Sequence, residues 1–260
     1  MEGSFYKPVV MAIAGFDPGS GAGITADMKT FHSIGVYGTG VISCITAQNH
    51  NEFYDLSEID HEIFKTQLNG LGKGYKIRSV KTGLLTKRTA EIIGRWKKKN
   101  LEIPIIADPV FTATAGRNFF TETDIEYLKE SFFKYATLIT PNLFEASVLS
   151  GIKIKSVEDM KKAGKKMVEE IGIPVLIKGG HLTGNAVDIL FFNNSEFSFE
   201  REKIDGVNTH GSGCILSSAI SAYIALGNTI KDAVFEAKKF ITKIMEHPVL
   251  LDRTGEVIEP

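Results

Sequence analysis

Val9-Val-Met-Ala-Ile-Ala14 runs directly into Gly15-Phe-Asp-Pro-Gly-Ser-Gly-Ala-Gly23, and the fold turns on how this junction is read. The first segment is apolar without interruption, not at alternate positions. That pattern marks a strand covered on both faces, as in parallel sheets. The glycines that follow predict a loop. The spacing after them predicts a helix to about Ile34, which Gly35 stops.

Outward from this junction, strand-like and helical segments alternate. Strands are predicted over 40–47, 77–81, 103–107, 137–140 and 174–177, and helices over 57–71, 88–99, 122–133, 143–149 and 157–171. Segments 186–192 and 196–201 predict an antiparallel pair about Asn193-Asn194, and helices over 213–226 and 230–247 close the chain. No linker-like or low-complexity stretch divides the succession. Residues 1–260 are therefore expected to form a single α/β domain, with a central, mainly parallel sheet, helices on both faces and a small antiparallel strand pair. Ligands in such folds sit beyond the carboxyl ends of the strands.

Composition narrows the function classes. Lys plus Arg number 30 and Asp plus Glu 31, so there is no basic excess to attract nucleic acid or an anionic membrane. The one compact basic run, Lys97-Lys-Lys99, ends a predicted helix and reads as a solvated face. No apolar stretch approaches the ~18 residues of a membrane span, and the start lacks a signal peptide's basic and apolar regions. Cys44 and Cys214 make no disulfide framework, so a reducing cytoplasm is expected. The histidines show no zinc-ligand spacing.

Near the end stands Asn208-Thr-His-Gly-Ser-Gly-Cys-Ile-Leu-Ser-Ser218. A helix is predicted to begin at 211–213, where its first amides have no partners and its dipole favours negative charge. The glycines admit a ligand to the backbone, a setting that suits phosphoryl oxygens. Cys214 lies in the same first turn, where a thiol pKa tends to fall. The plainer reading is a glycine turn ahead of a core helix with a buried cysteine. The loop 15–23 lacks the Gly-Lys-Ser/Thr ending of a Walker A loop. Gly21-x-Gly23-x-x-Ala26 fits a loose dinucleotide fingerprint, but the next strand ends without the acid that would hold a ribose. Close approach to a small substrate explains these glycines equally well.

Three charged residues fall at predicted strand ends. Asp108 follows Ile106-Ala107, Glu145 opens the helix after Thr140-Pro-Asn142, and Lys178 precedes Gly179-Gly180. Two carboxylates at neighbouring strand ends suit Mg²⁺, which takes oxygen ligands and keeps several waters. Taken singly, they read as a turn aspartate and a glutamate favoured by a helix dipole. Lys178 reads either as an ammonium at the ligand edge or as a solvated strand end.

Taken together the motifs resemble one family. Gly15-x-Asp-Pro-x-x-Gly-Ala-Gly-Ile24, Ala26-Asp-Met-Lys-Thr-Phe31, Ala47-Gln-Asn49, Lys81-Thr-Gly83, Asp108-Pro-Val110, Thr140-Pro-Asn-Leu-Phe-Glu145, Lys178-Gly-Gly-His181 and Thr209-His-Gly-Ser-Gly-Cys214 occur in order. They resemble the hydroxymethylpyrimidine/phosphomethylpyrimidine kinases of thiamine synthesis, of ribokinase-like fold, over residues 8–245. The resemblance implies that ATP phosphorylates the 5-hydroxymethyl oxygen of 4-amino-5-hydroxymethyl-2-methylpyrimidine, and commonly its monophosphate as well. It also implies a homodimer.

The same resemblance implies roles for particular residues. The amides of Gly211, Ser212, Gly213 and Cys214 would receive the developing charge. Lys178 would neutralise a further share, and Asp108 and Glu145 would position Mg²⁺ directly or through water. Asn142, Thr209 and Lys178 are expected on the nucleotide. Cys214 is either the base toward the substrate hydroxyl or a small residue shaping the anion pocket. Gln48 would pair its amide with the ring N3 and exocyclic amine, while Gly15, Asp17 and Val110 line the same pocket. Asp27 is taken as structural.

Two departures stand out. Where the family reads Ala-Lys-Ser-Gly, this chain reads Ala113-Thr-Ala-Gly116, and a Gly- and His-rich ending is replaced by His247-Pro-Val-Leu-Leu-Asp252. The rivals are a pyridoxal kinase of the same fold, a sugar kinase (disfavoured because Cys214 stands where those enzymes carry Asp), a silent pyrimidine-binding regulator and a dinucleotide oxidoreductase.

Overall fold

The structure is a computed structural model that describes residues 6–49, 52–111, 120–180, 182, 184–204, 209–251 and 255–260. The sequence readings at 113–116, His181, Asn208 and Asp252 lie outside the described residues.

The chain order is β1 (Val9–Phe16), α1 (Gly23–Ile34), β2 (Tyr37–Gln48), β3 (Phe53–Glu58), α2 (His61–Gly74), β4 (Ile77–Thr82), α3 (Lys87–Lys97), β5 (Ile105–Ala107) and α4 (Glu122–Ser131). It continues with β6 (Leu138–Ile139), α5 (Leu143–Ser150), α6 (Val157–Ile171), β7 (Val175–Ile177), β8 (Ala186–Phe192), β9 (Ser195–Arg201), α7 (Ser212–Ala225), α8 (Ile230–Glu246), β10 (Val249–Leu251) and β11 (Gly255–Val257).

Among the described residues nine strands form one sheet in the order β3-β2-β1-β4-β5-β6-β7-β8-β9. The run from β2 to β7 is parallel, while β3, β8 and β9 join antiparallel at the two ends. The α/β fold with helices on both faces is therefore observed. Strand β1 shows why its sequence is continuously apolar. Met11 and Ile13 face a core shared with α2 to α6, whereas Val10, Ala12 and Ala14 face α1 and α7. Helices α7 and α8 cover the same face further along, over Ile106, Leu138, Leu176 and Leu190. Each large apolar side chain wholly buried in these layers contributes about 1.5–3 kcal/mol.

The chain leaves β1 for β2 on one side and later for β4 on the other. The carboxyl ends of β1 and β4 therefore flank a crevice of the kind that receives ligands in open α/β sheets. Local signals set the elements around it. Gly35 ends α1 at φ 92, and Asn193 and Asn194 turn the β8–β9 hairpin at φ 51 and 57, where short polar side chains tolerate a left-handed backbone.

Three expectations are corrected. Segment 57–71 is not one helix: Phe53–Glu58 pairs with β2, and the helix waits for Asp60, whose carboxylate accepts the amides of Glu62 and Ile63 at 3.0 and 2.9 Å. Lys97 is not a solvated cation. It is 4% exposed and donates to the carbonyls of Asn100 and Leu101, plugging the end of α3. The C-terminal segment forms the β10–β11 pair, and Ile258 packs against the α7–α8 core.

Candidate active site

The loop after β1 is held by Asp17. Its two carboxylate oxygens accept the amides of Gly19 and Ala22, each at 2.8 Å, so the side chain closes the loop on itself. Glycine is required where this loop meets the start of α7. Gly211 sits at φ 80, and a Cβ there would lie 1.7 Å from the Gly21 carbonyl oxygen. Two glycine-bearing segments from opposite ends of the chain are thus in backbone contact. His210 Nε2 stands 4.0 Å from Asp17 Oδ2 across the same seam.

Helix α7 begins at Ser212 with Gly211 as its cap and has no acidic residue in its first turn. The Ser212 amide turns back to the Thr209 carbonyl at 3.1 Å, which takes it away from any ligand. The amides of Gly213 and Cys214 head the helix beside a cleft. Thr209 and Ser212, both expected in the site, are not among the residues that line it.

Asp108 follows β5 and Lys178 follows β7, the two strands that flank β6 in the parallel run. Their side chains meet at 2.6 Å. Thr140 also donates to Asp108 at 3.1 Å, and Ser217 of α7 does so at 3.3 Å. Glu145 and Asn142 cap α5 reciprocally, the Asn142 amide reaching Glu145 at 2.7 Å and the Glu145 amide reaching Asn142 Oδ1 at 2.9 Å. Burial pushes the Glu145 carboxyl up to about 8, with Lys178 opposing and Asp108 reinforcing. Burial also works against the charge of Lys178, but Asp108 and Glu145 outweigh it and hold the ammonium above the ordinary lysine value. A Cβ on Gly213 would come within 3.1 Å of Lys178 Nζ, which places the ammonium against the helix start.

These groups share one cleft that is partly open to solvent. Gly15, Asp17, Gln48, Asp108, Val110, Asn142, Glu145, Lys178, Gly211, Gly213 and Cys214 all line it. Charge and anion-receiving amides lie on one side. Gln48 stands with the apolar side chains of Phe53 and Leu84 on the other rim.

Residues 17–257 match the sequence profile of the family described as phosphomethylpyrimidine kinase. The chain belongs to the phosphomethylpyrimidine kinase family. It is 38% identical over 253 residues to the hydroxymethylpyrimidine/phosphomethylpyrimidine kinase of Aquifex aeolicus, covering 96% of this chain and 99% of that one. The phosphomethylpyrimidine kinase structure from Clostridium difficile superposes with a TM-score of 0.81 at 38% identity, covering 91% of this chain and 99% of that one. A pyridoxal kinase from Bacillus subtilis, solved with ADP, superposes with a TM-score of 0.90 at 34% identity, covering 98% and 97%. As a phosphomethylpyrimidine kinase family member of ribokinase-like fold, the protein is an ATP-dependent kinase acting on small molecules. Among the described residues no helix is long and apolar enough to cross a membrane.

Within this family member one expectation changes. The Cys214 thiol was expected to fall at its helix N-terminus. Instead burial pushes it up; Lys81 and the Gly23 amide oppose that shift, while Asp27 and Asp108 reinforce it. Lys81, part of the Lys81-Thr-Gly83 motif, has a role there that the motif does not assign. It is wholly buried and holds both oxygens of Asp27, at 2.7 and 2.9 Å. The strand's composition gives little signal, since β4 carries Arg78, Ser79 and Thr82 beside Lys81.

Proposed function

We propose that the protein transfers the γ-phosphoryl group of ATP to the 5-hydroxymethyl oxygen of 4-amino-5-hydroxymethyl-2-methylpyrimidine, and then phosphorylates the monophosphate. The observation that carries this reading is Gln48, which lines the same cleft as the start of α7, Asp108 and Lys178. Its amide offers a donor and an acceptor side by side, matching an aminopyrimidine edge. Gly15 and Val110 flank the ring, while Asp17 shapes the loop beneath it.

Phosphoryl transfer depends on placement and charge stabilisation more than on covalent help. The amides of Gly213 and Cys214 receive the equatorial oxygens, with Gly211 giving them access. Lys178 neutralises phosphate charge, and Asn142 borders the nucleotide. Asp108 and Glu145 fit Mg²⁺ and would hold it directly or through water. A carboxyl driven toward neutrality by a dry site beside another carboxylate gains from a nearby cation. When bound, that ion supplies charge neutralisation between phosphates. Cys214 accepts the hydroxyl proton late in the transfer. Since its thiol is held high, turnover climbs with pH above neutrality, and Cys214→Ala flattens that climb.

The superposition on the Bacillus subtilis pyridoxal kinase favours a second reading, phosphorylation of pyridoxal. Incubation with ATP, Mg²⁺ and either alcohol, followed by product mass, separates the two. A pyrimidine mono- and diphosphate supports the assignment. A clear preference for pyridoxal overturns it. We place the enzyme as a homodimer in the cytoplasm. Exposed Tyr37, Ile45 and Tyr54 on β2 and β3 support self-association, and two free cysteines suit a reducing compartment. Light scattering on a sizing column tests the dimer.

A further inference from the structure

A buried ion pair is weak evidence for stability, because stripping water from both charges offsets their attraction. The Asp27–Lys81 pair therefore calls for an explanation in terms of what it faces. Asp27 comes from α1 and Lys81 from β4, and Ser218 of α7 donates to Asp27 at 2.6 Å. Ser218 lies one turn beyond Cys214 on the same face of the helix. Two residues below Lys81 on its strand, Ser79 bonds the Ser221 carbonyl and hydroxyl at 2.7 and 2.9 Å. A Cβ on Gly83, just beyond Lys81, would lie 3.0 Å from the Lys81 ammonium.

The underside of the helix start is thus a polar seam rather than a greasy one. An apolar interface lets a helix slide or roll by small amounts, whereas hydrogen bonds to fixed partners specify one position. The seam ends in the Lys81–Asp27 pair, which Ser218 ties to α7 one turn from the thiol. The charged groups around Cys214 are Lys81 from β4, Asp27 from α1, Asp108 after β5 and Lys178 after β7. Lys178 and Asp108 are committed to each other at the phosphate side.

We propose that Lys81, clamped by Asp27 and Ser218, is a positioning residue for the transfer, fixing the start of α7 and presenting a buried positive charge to the Cys214 thiol. The proposal rests on the reading that Cys214 faces the acceptor hydroxyl. Its test reads the thiol independently of turnover. Cys214 alkylation by iodoacetamide is followed against pH, by peptide mass so that Cys44 is distinguished, in the full chain and in two variants.

Asp27→Leu/Lys81→Met replaces the pair with apolar groups of similar size. Asp27→Asn keeps the shape and removes only the negative charge. With Lys81 closer in influence than Asp27, the double variant raises the alkylation midpoint by about half a pH unit or more, and Asp27→Asn lowers it by a similar amount. Turnover of the double variant falls about tenfold, with the KM for ATP changed less than about threefold. If either folded variant leaves the midpoint where the wild type has it, or if both move it in the same direction, the proposal is overturned. Asp27→Asn alone decides the sign if the double variant fails to fold. A shifted midpoint with unchanged turnover overturns the positioning role, whereas a Cys214→Ala variant that keeps full turnover refutes the earlier reading of the thiol and not this one.

Discussion

Gly211→Ala is the sharpest perturbation available at this site. The residue sits at φ 80, and the added methyl carbon would lie 1.7 Å from the Gly21 oxygen and 2.9 Å from its carbon. The left-handed backbone alone costs a non-glycine residue about 1–2 kcal/mol. The clash adds more, because backbone cannot swing away as a side chain does. Either the loop after β1 or the head of α7 must retreat by about 1 Å or more. A misplacement of that size lowers turnover by about 10²-fold, or roughly 2.7 kcal/mol in the barrier.

Gly35→Ala supplies the control. It too sits at positive φ, 92, but a methyl group there meets nothing within 4 Å. It should lower the melting temperature by a few degrees and leave kcat unchanged. Steady-state ADP release and thermal melts on both variants make the comparison. If Gly211→Ala keeps kcat within about threefold of wild type while melting like Gly35→Ala, the contact between the two segments has no part in catalysis and the site is drawn wrongly.

Other expectations follow from the same cleft. Gln48→Leu should raise the KM for the pyrimidine by about 10²-fold or more and leave that for ATP unchanged, since it strands ring polar groups against an apolar side chain; equal KM values would move ring recognition elsewhere. Lys178→Met removes the cation that Asp108 holds at 2.6 Å and should lower kcat by about 10²–10³-fold, read as single-turnover product. Glu145 has a folded pKa of about 8 against an ordinary 4.5. An acid raised on folding stabilises the fold fully below its unfolded value and loses that contribution as pH climbs through the folded one. Ligand-free protein should therefore lose melting temperature between pH 4.5 and about 8 more steeply than Glu145→Gln does, and parallel curves for the two would contradict the burial argument.

Much of the architecture was legible because burial leaves a direct imprint on strand composition. Strand β1 is apolar at every position since both faces are covered, and Gly35, Asn193 and Asn194 mark turns that need their backbone freedom. Most of the site was legible for a related reason: polar residues at the carboxyl ends of apolar strands have little structural cause to be there. Strand β3 was not, because its edge position leaves a mixed sequence with no clean alternation. Lys97 was misread and the role of Lys81 missed because a lysine's partners, distant carbonyls in one case and Asp27 in the other, depend on three-dimensional approach. Cys214 misled because proximity to a helix start is readable from sequence, whereas the depth of protein around the thiol is not.

The touch between Gly21 and Gly211 has a bearing on how the enzyme comes into being. Domains assemble as they emerge, N-terminal portion first, so the loop that will border the acceptor leaves the ribosome long before the segment that will cradle the phosphate. A nascent chain that has released only β1, β2 and β4 still owns only half a catalyst, unable to squander nucleotide. Competence then arrives late and all at once, when the seventh helix docks and its glycine cap slots against a carbonyl made much earlier.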